Sequence, residues 1–315
     1  MGSLTKHHKL PVIELITNEN LKPGTESWSK TCKEVVSALE EYGCFVGSYD
    51  KMTQEIHNGV YNALEELFDL PTHIKMENKS NKPLYGYVGQ VPLIPVFESM
   101  GIDYANTFEG IQSFTNVMWP NGNQGFSENL LRYTKLAAEL EKIVVQMIFE
   151  SYGVGKYYES HINSVNYLSR VMKYREPKMN ENKMGLVSHT DKTFMSTIHQ
   201  INGIDGLEIK AKDGEWFGVE LSPSTIVVMA GDVIMAWSNE RIKPPHHRVN
   251  MEGKETRFSI GQFSFMDKMV QTPEELIDDE HPLKYKTFDH YKFLEFFSQE
   301  KNRRLESAIK TYCGV

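Results

Sequence analysis

The sequence has few cysteines and no long apolar run. Its three cysteines, Cys32, Cys44 and Cys313, are odd in number and lack the close spacing of a thiolate zinc site. This pattern predicts no disulfide framework and favours a reducing compartment. No apolar stretch approaches the ~18 residues of a spanning helix, and residues 1–9 are polar and lack the core of a secretory signal. We therefore expect a cytoplasmic protein that does not enter a membrane.

Positive charge is also scarce. The chain has 34 Lys and Arg against 42 Asp and Glu, a formal net charge of −8, which argues against general nucleic-acid binding. The hydrophobic share of 40% and charged share of 24% are typical of a globular protein. No repeat, low-complexity tract or heptad pattern indicates a protein partner. We expect a monomer whose partner is a small molecule.

The first half of the chain is predicted to be mainly helical. Apolar residues at helical spacing predict three helices, at residues 27–41, 53–68 and 128–151. Ser127 suits the N-cap of the third helix, and Gly153 suits its C-terminal end. Residues 10–15 and 43–47 read as short strands. Residues 78–126 are rich in glycine, proline and aromatics, and no regular structure is assigned to them.

After about residue 165 the pattern changes to short segments rich in β-branched and aromatic residues. Asn202-Gly203 and Asp213-Gly214 are hairpin signals, and a phase slip at Gly261 predicts a bulge. Many closely spaced strands predict an all-β core, a barrel or jelly-roll, which a C-terminal helix at 290–311 closes. The predicted strands are residues 168–174, 186–189, 193–199, 207–212, 215–221, 225–229, 233–237, 257–260 and 262–265.

A histidine and a carboxylate stand two residues apart in His189-Thr190-Asp191. On an extended segment both side chains project from one face and can meet one metal ion. His247 is the best candidate for a third ligand. Two histidines and one carboxylate on one side of an ion form the facial triad of non-haem Fe(II) oxygenases. The His-x-Asp pair alone is a weak signal, because such pairs also occur in structural and surface roles.

A second signal is Arg257-Phe258-Ser259, ten residues beyond His247. On a strand, Arg257 and Ser259 share a face. A guanidinium with a neighbouring hydroxyl is suited to binding a carboxylate, because the Arg fork contacts both oxygens and the hydroxyl adds one hydrogen bond. The alternative, a structural ion pair of Arg257, is equally consistent with this motif alone.

Taken together, these motifs resemble the plant 2-oxoglutarate- and Fe(II)-dependent dioxygenases over nearly the whole chain. The segments that carry the resemblance stand in family order at family spacing. Within the family, residues 119–123 and 171–174 look most like the glucosinolate-side-chain (AOP-type) branch, which resembles enzymes of auxin oxidation and steroidal-alkaloid hydroxylation. The matching segments are residues 10–15, 42–45, 68–71, 189–191, 231–232, 247–249 and 257–259.

The resemblance implies a double-stranded β-helix, that is, a jelly-roll core flanked by N-terminal helices and a C-terminal helix. It implies a mainly helical region at residues 1–160 that packs on a dioxygenase domain at residues 161–315, as one compact unit. It further implies a reaction in which Fe(II), 2-oxoglutarate and O2, with ascorbate as a reductant, hydroxylate a small specialised metabolite or hormone and release succinate and CO2.

Carried over residue by residue, the resemblance implies that His189, Asp191 and His247 bind Fe(II). Arg257 and Ser259 hold the distal carboxylate of 2-oxoglutarate, and Tyr174 adds a hydrogen bond. The sequence departs from the family where Met172 replaces the usual Asn, and where Glu240 replaces a turn Gly. Because halogenases similar to this family lack the carboxylate ligand, the presence of Asp191 favours hydroxylation, demethylation or desaturation.

Seven aromatic residues are candidates for the substrate pocket, although each is also explained by core packing. Their abundance favours an apolar, multi-ring or indole-like substrate. They are Phe194, Phe263, Phe265, Tyr85, Tyr87, Phe293 and Phe297.

Two rival functions remain open. Ascorbate-using Fe(II) oxidases of similar sequence employ the same ligands without 2-oxoglutarate. A non-catalytic barrel that binds a small molecule would use the triad as a structural metal site. Closed structural sites usually have four protein ligands, and no fourth is evident here.

Overall fold

The structure, a computed structural model, describes residues 8–16 and 21–315. Residues 1–7, in the polar N-terminal segment, and residues 17–20 lie outside the described residues. Fourteen strands are formed in the described ranges: β1 (Val12–Leu15), β2 (Cys44–Tyr49), β3 (Val88–Gly89), β4 (Phe97–Asp103), β5 (Val165–Tyr174), β6 (Met184–His189), β7 (Met195–Gln200), β8 (Leu207–Lys210), β9 (Trp216–Gly218), β10 (Thr225–Ala230), β11 (His247–Asn250), β12 (Arg257–Met266), β13 (Met269–Val270) and β14 (Phe288–Asp289).

Two facing sheets make a jelly-roll, as predicted. The major sheet has the strand order β1-β2-β10-β7-β12-β5-β4-β3, and the minor sheet has the order β6-β11-β8-β9. Except for the parallel pair β1–β2, neighbouring strands are antiparallel. Strands β1 to β4 precede residue 160 yet belong to the same sheet as later strands. The division into two regions at residue 160 stays a prediction.

Helices cover the outer face of the major sheet. The long helix α5 packs against α1 and α2. Thr53 and Asn123 cap two of these helices, because each side chain accepts a backbone N–H of the first turn. None of the helices in the described ranges is long and apolar enough to cross a bilayer. The helices are α1 (Glu26–Tyr42), α2 (Gln54–Asp69), α3 (Thr72–Lys75), α4 (Phe108–Met118), α5 (Gln124–Ser151), α6 (Tyr158–Ile162), α7 (Asp232–Trp237), α8 (His290–Ser298) and α9 (Ala308–Cys313).

The apolar core has two layers. The larger layer fills the space between the helices and the outer face of the major sheet. The smaller layer lies between the two sheets. There Met172 and Tyr174 of the major sheet share a cluster with Val249 of the minor sheet. We call the face of the major sheet that carries these residues the inner face, since it faces the minor sheet.

The region without a predicted structure, residues 78–126, contains both β4 and α4. Strand β4 shows no alternation of polar and apolar residues, because it is buried on both faces. The Tyr85 backbone passes so close to β4 that position 101 must be glycine, since a Cβ there would lie 2.0 Å from the Tyr85 carbonyl oxygen. The predicted N-cap of α5 is also wrong. Asn123 caps the helix, and Ser127 lies in its first turns with its hydroxyl bonded to Thr115.

Residues 233–237, predicted as a strand, form the short helix α7. The helix is buried on all sides, so no amphipathic pattern distinguishes it from a buried strand. The predicted C-terminal helix is broken into α8 and α9, with a 3-10 turn at Asn302–Arg304 between them.

The turn predictions are mixed. Asp213-Gly214 joins the antiparallel strands β8 and β9, which confirms that hairpin. Asn202-Gly203 connects β7 with β8, which belong to different sheets, so that hairpin prediction is wrong. The bulge at Gly261 is wrong too, because β12 pairs with β5 in an unbroken register. The phase slips there because nearly every residue of β12 is buried on either face.

Candidate active site

Two paired strands of the minor sheet bring the candidate metal ligands together. Strand β6 ends at His189, strand β11 begins at His247, and these two residues are direct cross-strand partners. Their ring centroids lie 4.2 Å apart. The Asp191 Oδ1 atom is 3.6 Å from Nε2 of His189 and 3.8 Å from Nε2 of His247. The structure therefore gathers one ligand atom from each of the three predicted residues.

Backbone carbonyls fix the orientation of both imidazoles. Nδ1 of His189 lies 2.8 Å from the Val187 carbonyl oxygen, and Nδ1 of His247 lies 3.3 Å from that of Pro245. Since a carbonyl oxygen only accepts, Nδ1 carries the proton and donates. Nε2 of each ring is left with a free lone pair directed towards Asp191, which is the arrangement that metal-ligating histidines show.

The loop that carries Asp191 is held by the start of α7. The backbone N–H of Asp232 donates to the Asp191 carbonyl oxygen at 2.8 Å. Gly231 lets the start of α7 approach the same loop closely, because a Cβ there would lie 2.1 Å from the Thr193 carbonyl oxygen. Lys192 reaches the Asp232 carboxylate at 2.9 Å. The Gly231-Asp232 motif thus positions the Asp191 carboxylate.

The protonation states suit a divalent cation. Burial, with a further contribution from His189, lowers the pKa of His247 to about 4, so this imidazole is neutral at pH 7. Burial opposes ionisation of Asp191, but the adjoining imidazoles of His247 and His189 outweigh it and hold its pKa well below the usual range. Asp191 Oδ2 is buried and has no hydrogen-bond partner among the described residues. An orphaned carboxylate oxygen beside two free Nε2 atoms fits a resident Fe(II). The adjacent His246 is exposed.

Arg257, Ser259 and Tyr174 lie together on the inner face. The Arg257 guanidinium is 1% exposed, donates to Ser259 Oγ at 3.1 Å and lies 5.1 Å from the Tyr174 ring centroid. Its Nε and Nη2 atoms are buried without a partner in the described chain. Met172, at the usual Asn position, accepts the Tyr174 hydroxyl at 3.5 Å through its sulfur. A buried cation with two orphaned donors requires an anion, and the distal carboxylate of 2-oxoglutarate fits it.

Four of the predicted substrate residues lie on or beside the metal end of the major sheet. Phe263 lies four residues after Ser259 on β12, so the two side chains share one face of the strand, and Phe263 is half-buried. Phe265 contacts Tyr85 at a centroid distance of 5.4 Å. Phe297 lines a cavity of about 850 Å³ that His189 also lines. These four aromatic residues stay candidates for substrate contact.

The other three lie elsewhere. Phe194 packs 4.4 Å from His161 in the core on the helical side. Phe293 is fully buried. Tyr87 donates its hydroxyl to Glu98 at 2.9 Å. The structure does not bring these three side chains to the ligand cluster.

Sequence reasoning missed Arg170 of β5. It precedes Met172 and Tyr174 at two-residue spacing, so all three share one face of the strand. That alternation is visible in the sequence, but the partners of Arg170, which are all neutral, are visible only in the structure.

Family comparisons agree with this geometry. Residues 159–265 match the 2OG-Fe(II) oxygenase superfamily. Residues 10–93 match the N-terminal region described for the non-haem dioxygenase in morphine synthesis.

Two Arabidopsis thaliana proteins are similar over almost their whole length. A probable 2-oxoglutarate-dependent dioxygenase AOP1 is 41% identical and covers 97% of this chain and 96% of its own. The 2-oxoglutarate-dependent dioxygenase AOP3 is 31% identical and covers 100% of this chain and 99% of its own.

The crystal structure of a rice dioxygenase for auxin oxidation superposes with a TM-score of 0.81 at 25% identity. The match covers 98% of this chain and 100% of the rice chain. The jelly-roll, the His-Asp-His cluster and these relatives lead to one conclusion: this chain belongs to the 2-oxoglutarate- and Fe(II)-dependent dioxygenases.

Proposed function

We propose that His189, Asp191 and His247 hold the catalytic Fe(II), and that Arg257, Ser259 and Tyr174 hold 2-oxoglutarate. The convergence of the three ligand atoms carries this proposal. Three protein ligands on one side leave the opposite positions open for the cosubstrate and oxygen. When bound, iron, 2-oxoglutarate and O2 supply an oxidation that converts a substrate C–H bond to C–OH and releases succinate and CO2.

The chain's own residues bind and orient the reactants. The two orphaned donors of Arg257 bind both oxygens of the distal carboxylate, and the Ser259 hydroxyl adds a third hydrogen bond. Tyr174 packs against the guanidinium and keeps it in place. Because Met172 offers only a weak sulfur acceptor, it leaves the Tyr174 hydroxyl free to turn towards the cosubstrate.

The substrate is a small metabolite or hormone, and hydroxylation is the proposed outcome. The half-buried ring of Phe263 and the neighbouring Phe265 give the metal end of the inner face an aromatic wall. The rice relative named for auxin oxidation supports a ligand of this size and character. We further propose that the protein acts as a monomer in the cytoplasm.

Succinate formation tests this proposal. Purified protein with Fe(II) and 2-oxoglutarate is expected to release succinate slowly, and an Asp191→Ala variant is expected to release none. Oxidation of substrates with ascorbate but without 2-oxoglutarate would favour the ascorbate-type alternative. A His189→Ala variant that folds and keeps full turnover would overturn the iron assignment.

A further inference from the structure

Arg170 lies on the same inner face as the residues that hold the cosubstrate. Alternate residues of a strand project from one face, so Arg170 faces the same way as Met172 and Tyr174. The contact between the Tyr174 ring and the Arg257 guanidinium, 5.1 Å, shows which face this is. Arg170 is therefore a second cation directed between the two sheets.

The strand register places Arg170 nearer to the metal end than Arg257. On β5 and β12, Tyr174 pairs with Arg257, Arg170 pairs with Gly261, and Leu168 pairs with Phe263. Phe263 in turn pairs with Ser196 near the start of β7.

Residues 190–194 join β7 to the metal ligand at the end of β6. The direction from Tyr174 to Leu168 thus runs from the cosubstrate end to the metal end. Arg170 lies between these two ends, where a substrate bound over the metal would be.

The charge of Arg170 is not matched within the described chain. Its guanidinium donates to the carbonyl oxygens of Leu84 and Gly86 and to Ser99 Oγ, all of them neutral. No described carboxylate forms an ion pair with it, and the side chain is partly exposed. Burial lowers the pKa of Arg170 to about 10, so the group stays charged at pH 7. Such a cation is oriented by three fixed acceptors and still has charge to offer to an anion.

Aromatic surface adjoins this cation. The Phe263 ring lies across Gly261, the cross-strand partner of Arg170, where a Cβ would be 2.7 Å from the ring. Phe265 and Tyr85 continue the same wall. A ligand that complements the site has an anionic head and a flat apolar body.

We propose that Arg170 binds a substrate carboxylate, and that the enzyme's substrates are small carboxylic acids with an aromatic or alicyclic body. The proposal rests on the proposed function, because it places the acid beside the iron that His189, Asp191 and His247 hold. Arg170 then sets substrate specificity: it anchors the carboxylate while the body of the acid lies along Phe263, with a C–H bond presented to the metal.

A purely structural role for Arg170 makes different predictions. Two of its three hydrogen bonds, to the carbonyl oxygens of Leu84 and Gly86, tie residues 84–86 to the sheet, so losing these bonds alone would lower stability. Replacing Arg170 would then weaken the binding of acids and of their neutral analogues equally. A carboxylate anchor instead distinguishes an acid from its amide.

The test measures binding rather than turnover. The protein is loaded with Mn(II) in place of Fe(II) and with 2-oxoglutarate, so that no turnover occurs. It is then titrated with matched pairs such as indole-3-acetic acid and indole-3-acetamide, or phenylacetic acid and phenylacetamide. Affinities are read by ligand-observed NMR. The wild-type protein is expected to bind at least one acid roughly ten- to hundredfold more tightly than its amide, as a charge-assisted hydrogen bond implies. Arg170→Gln should reduce that ratio to about one without weakening amide binding.

Two matched variants serve as controls. Lys173→Gln removes a charge from the opposite face of β5, where Lys173 lies over the Phe258 ring. Lys243→Gln removes a charge from the cavity beside His189. Both should keep the acid preference, and Arg170→Lys should keep part of it.

Several results would overturn the proposal. They are a wild-type protein without preference for any acid over its amide, an Arg170→Gln variant that keeps the preference, and loss of the preference in Lys243→Gln instead. The wild-type comparison needs no variant and so holds even if Arg170→Gln does not fold. Binding of Mn(II) and 2-oxoglutarate is measured first on the same sample, so failure of the proposed function is recognised separately. If Arg170→Gln weakened the binding of 2-oxoglutarate and left the affinity for the acids unchanged, Arg170 would belong to the cosubstrate site.

Discussion

Replacement of Arg257 by methionine should separate cosubstrate binding from stability. The guanidinium has two buried donors, Nε and Nη2, without a partner in the described chain. If both bind the distal carboxylate of 2-oxoglutarate, each charge-assisted hydrogen bond contributes about 1.5–3 kcal/mol. The sum of about 3–6 kcal/mol corresponds to a rise in Kd of roughly a hundredfold to ten-thousandfold.

The same change should not destabilise the protein without 2-oxoglutarate. Arg257 gives up one hydrogen bond to Ser259, but an uncompensated buried cation is removed and the alkyl packing is kept. The free energy of unfolding should therefore equal or exceed that of the wild-type protein.

Calorimetric titration of the Mn(II) form with 2-oxoglutarate and urea denaturation of the metal-free form measure the two quantities. Arg175→Met is the matched control, because Glu181 already occupies its fork at 2.6 and 2.7 Å. An Arg257→Met variant that binds 2-oxoglutarate like wild type would refute the reasoning. So would a variant that loses several kcal/mol of stability and keeps its affinity.

Three further predictions concern the metal site and the core. His247→Ala should abolish Fe(II) binding, whereas the adjacent His246→Ala should retain it, as equilibrium dialysis would show; equal losses would contradict the assignment. Burial raises the pKa of Glu141 from 4.5 to about 8, so between these values the unfolded chain is ionised and the folded one is not. The folded state therefore loses about 1.4 kcal/mol of stability for each pH unit as pH rises through this window. Glu141→Gln should stabilise the protein at pH 8 and change little at pH 5 in urea denaturation, and an identical effect at both pH values would be inconsistent with burial of the neutral acid. Gly261→Ala should cost about 1–3 kcal/mol by overpacking against the Phe263 ring, in the same assay, and an unchanged midpoint would show that the ring moves away.

The sequence was sufficient for the elements that bury one face. Helices α1, α2 and α5 have apolar residues at helical spacing. It was insufficient where an element is buried on every side. Helix α7 was predicted as a strand and β4 was not predicted at all, because neither has a polar face to establish a period.

The candidate site shows the same division. His189 and Asp191 are close in sequence, and the two-residue spacing indicates their shared face. The pairing of His189 with His247 depends on the minor sheet and could be inferred only from the family resemblance. The placement of Phe194 in the helical core was not predictable, because its direction depends on how the loop after Asp191 enters β7. Arg170 escaped notice because its significance lies in the absence of an acidic partner, which requires coordinates.

Anaerobic titration of the purified protein with Fe(II) and then 2-oxoglutarate, followed by visible absorption, tests the central claim most directly. A weak metal-to-ligand charge-transfer band is predicted that appears only with both components, disappears on exposure to oxygen, and is absent in the Asp191→Ala variant. Iron binding without such a band would contradict the assignment of 2-oxoglutarate to the site formed by the triad and Arg257.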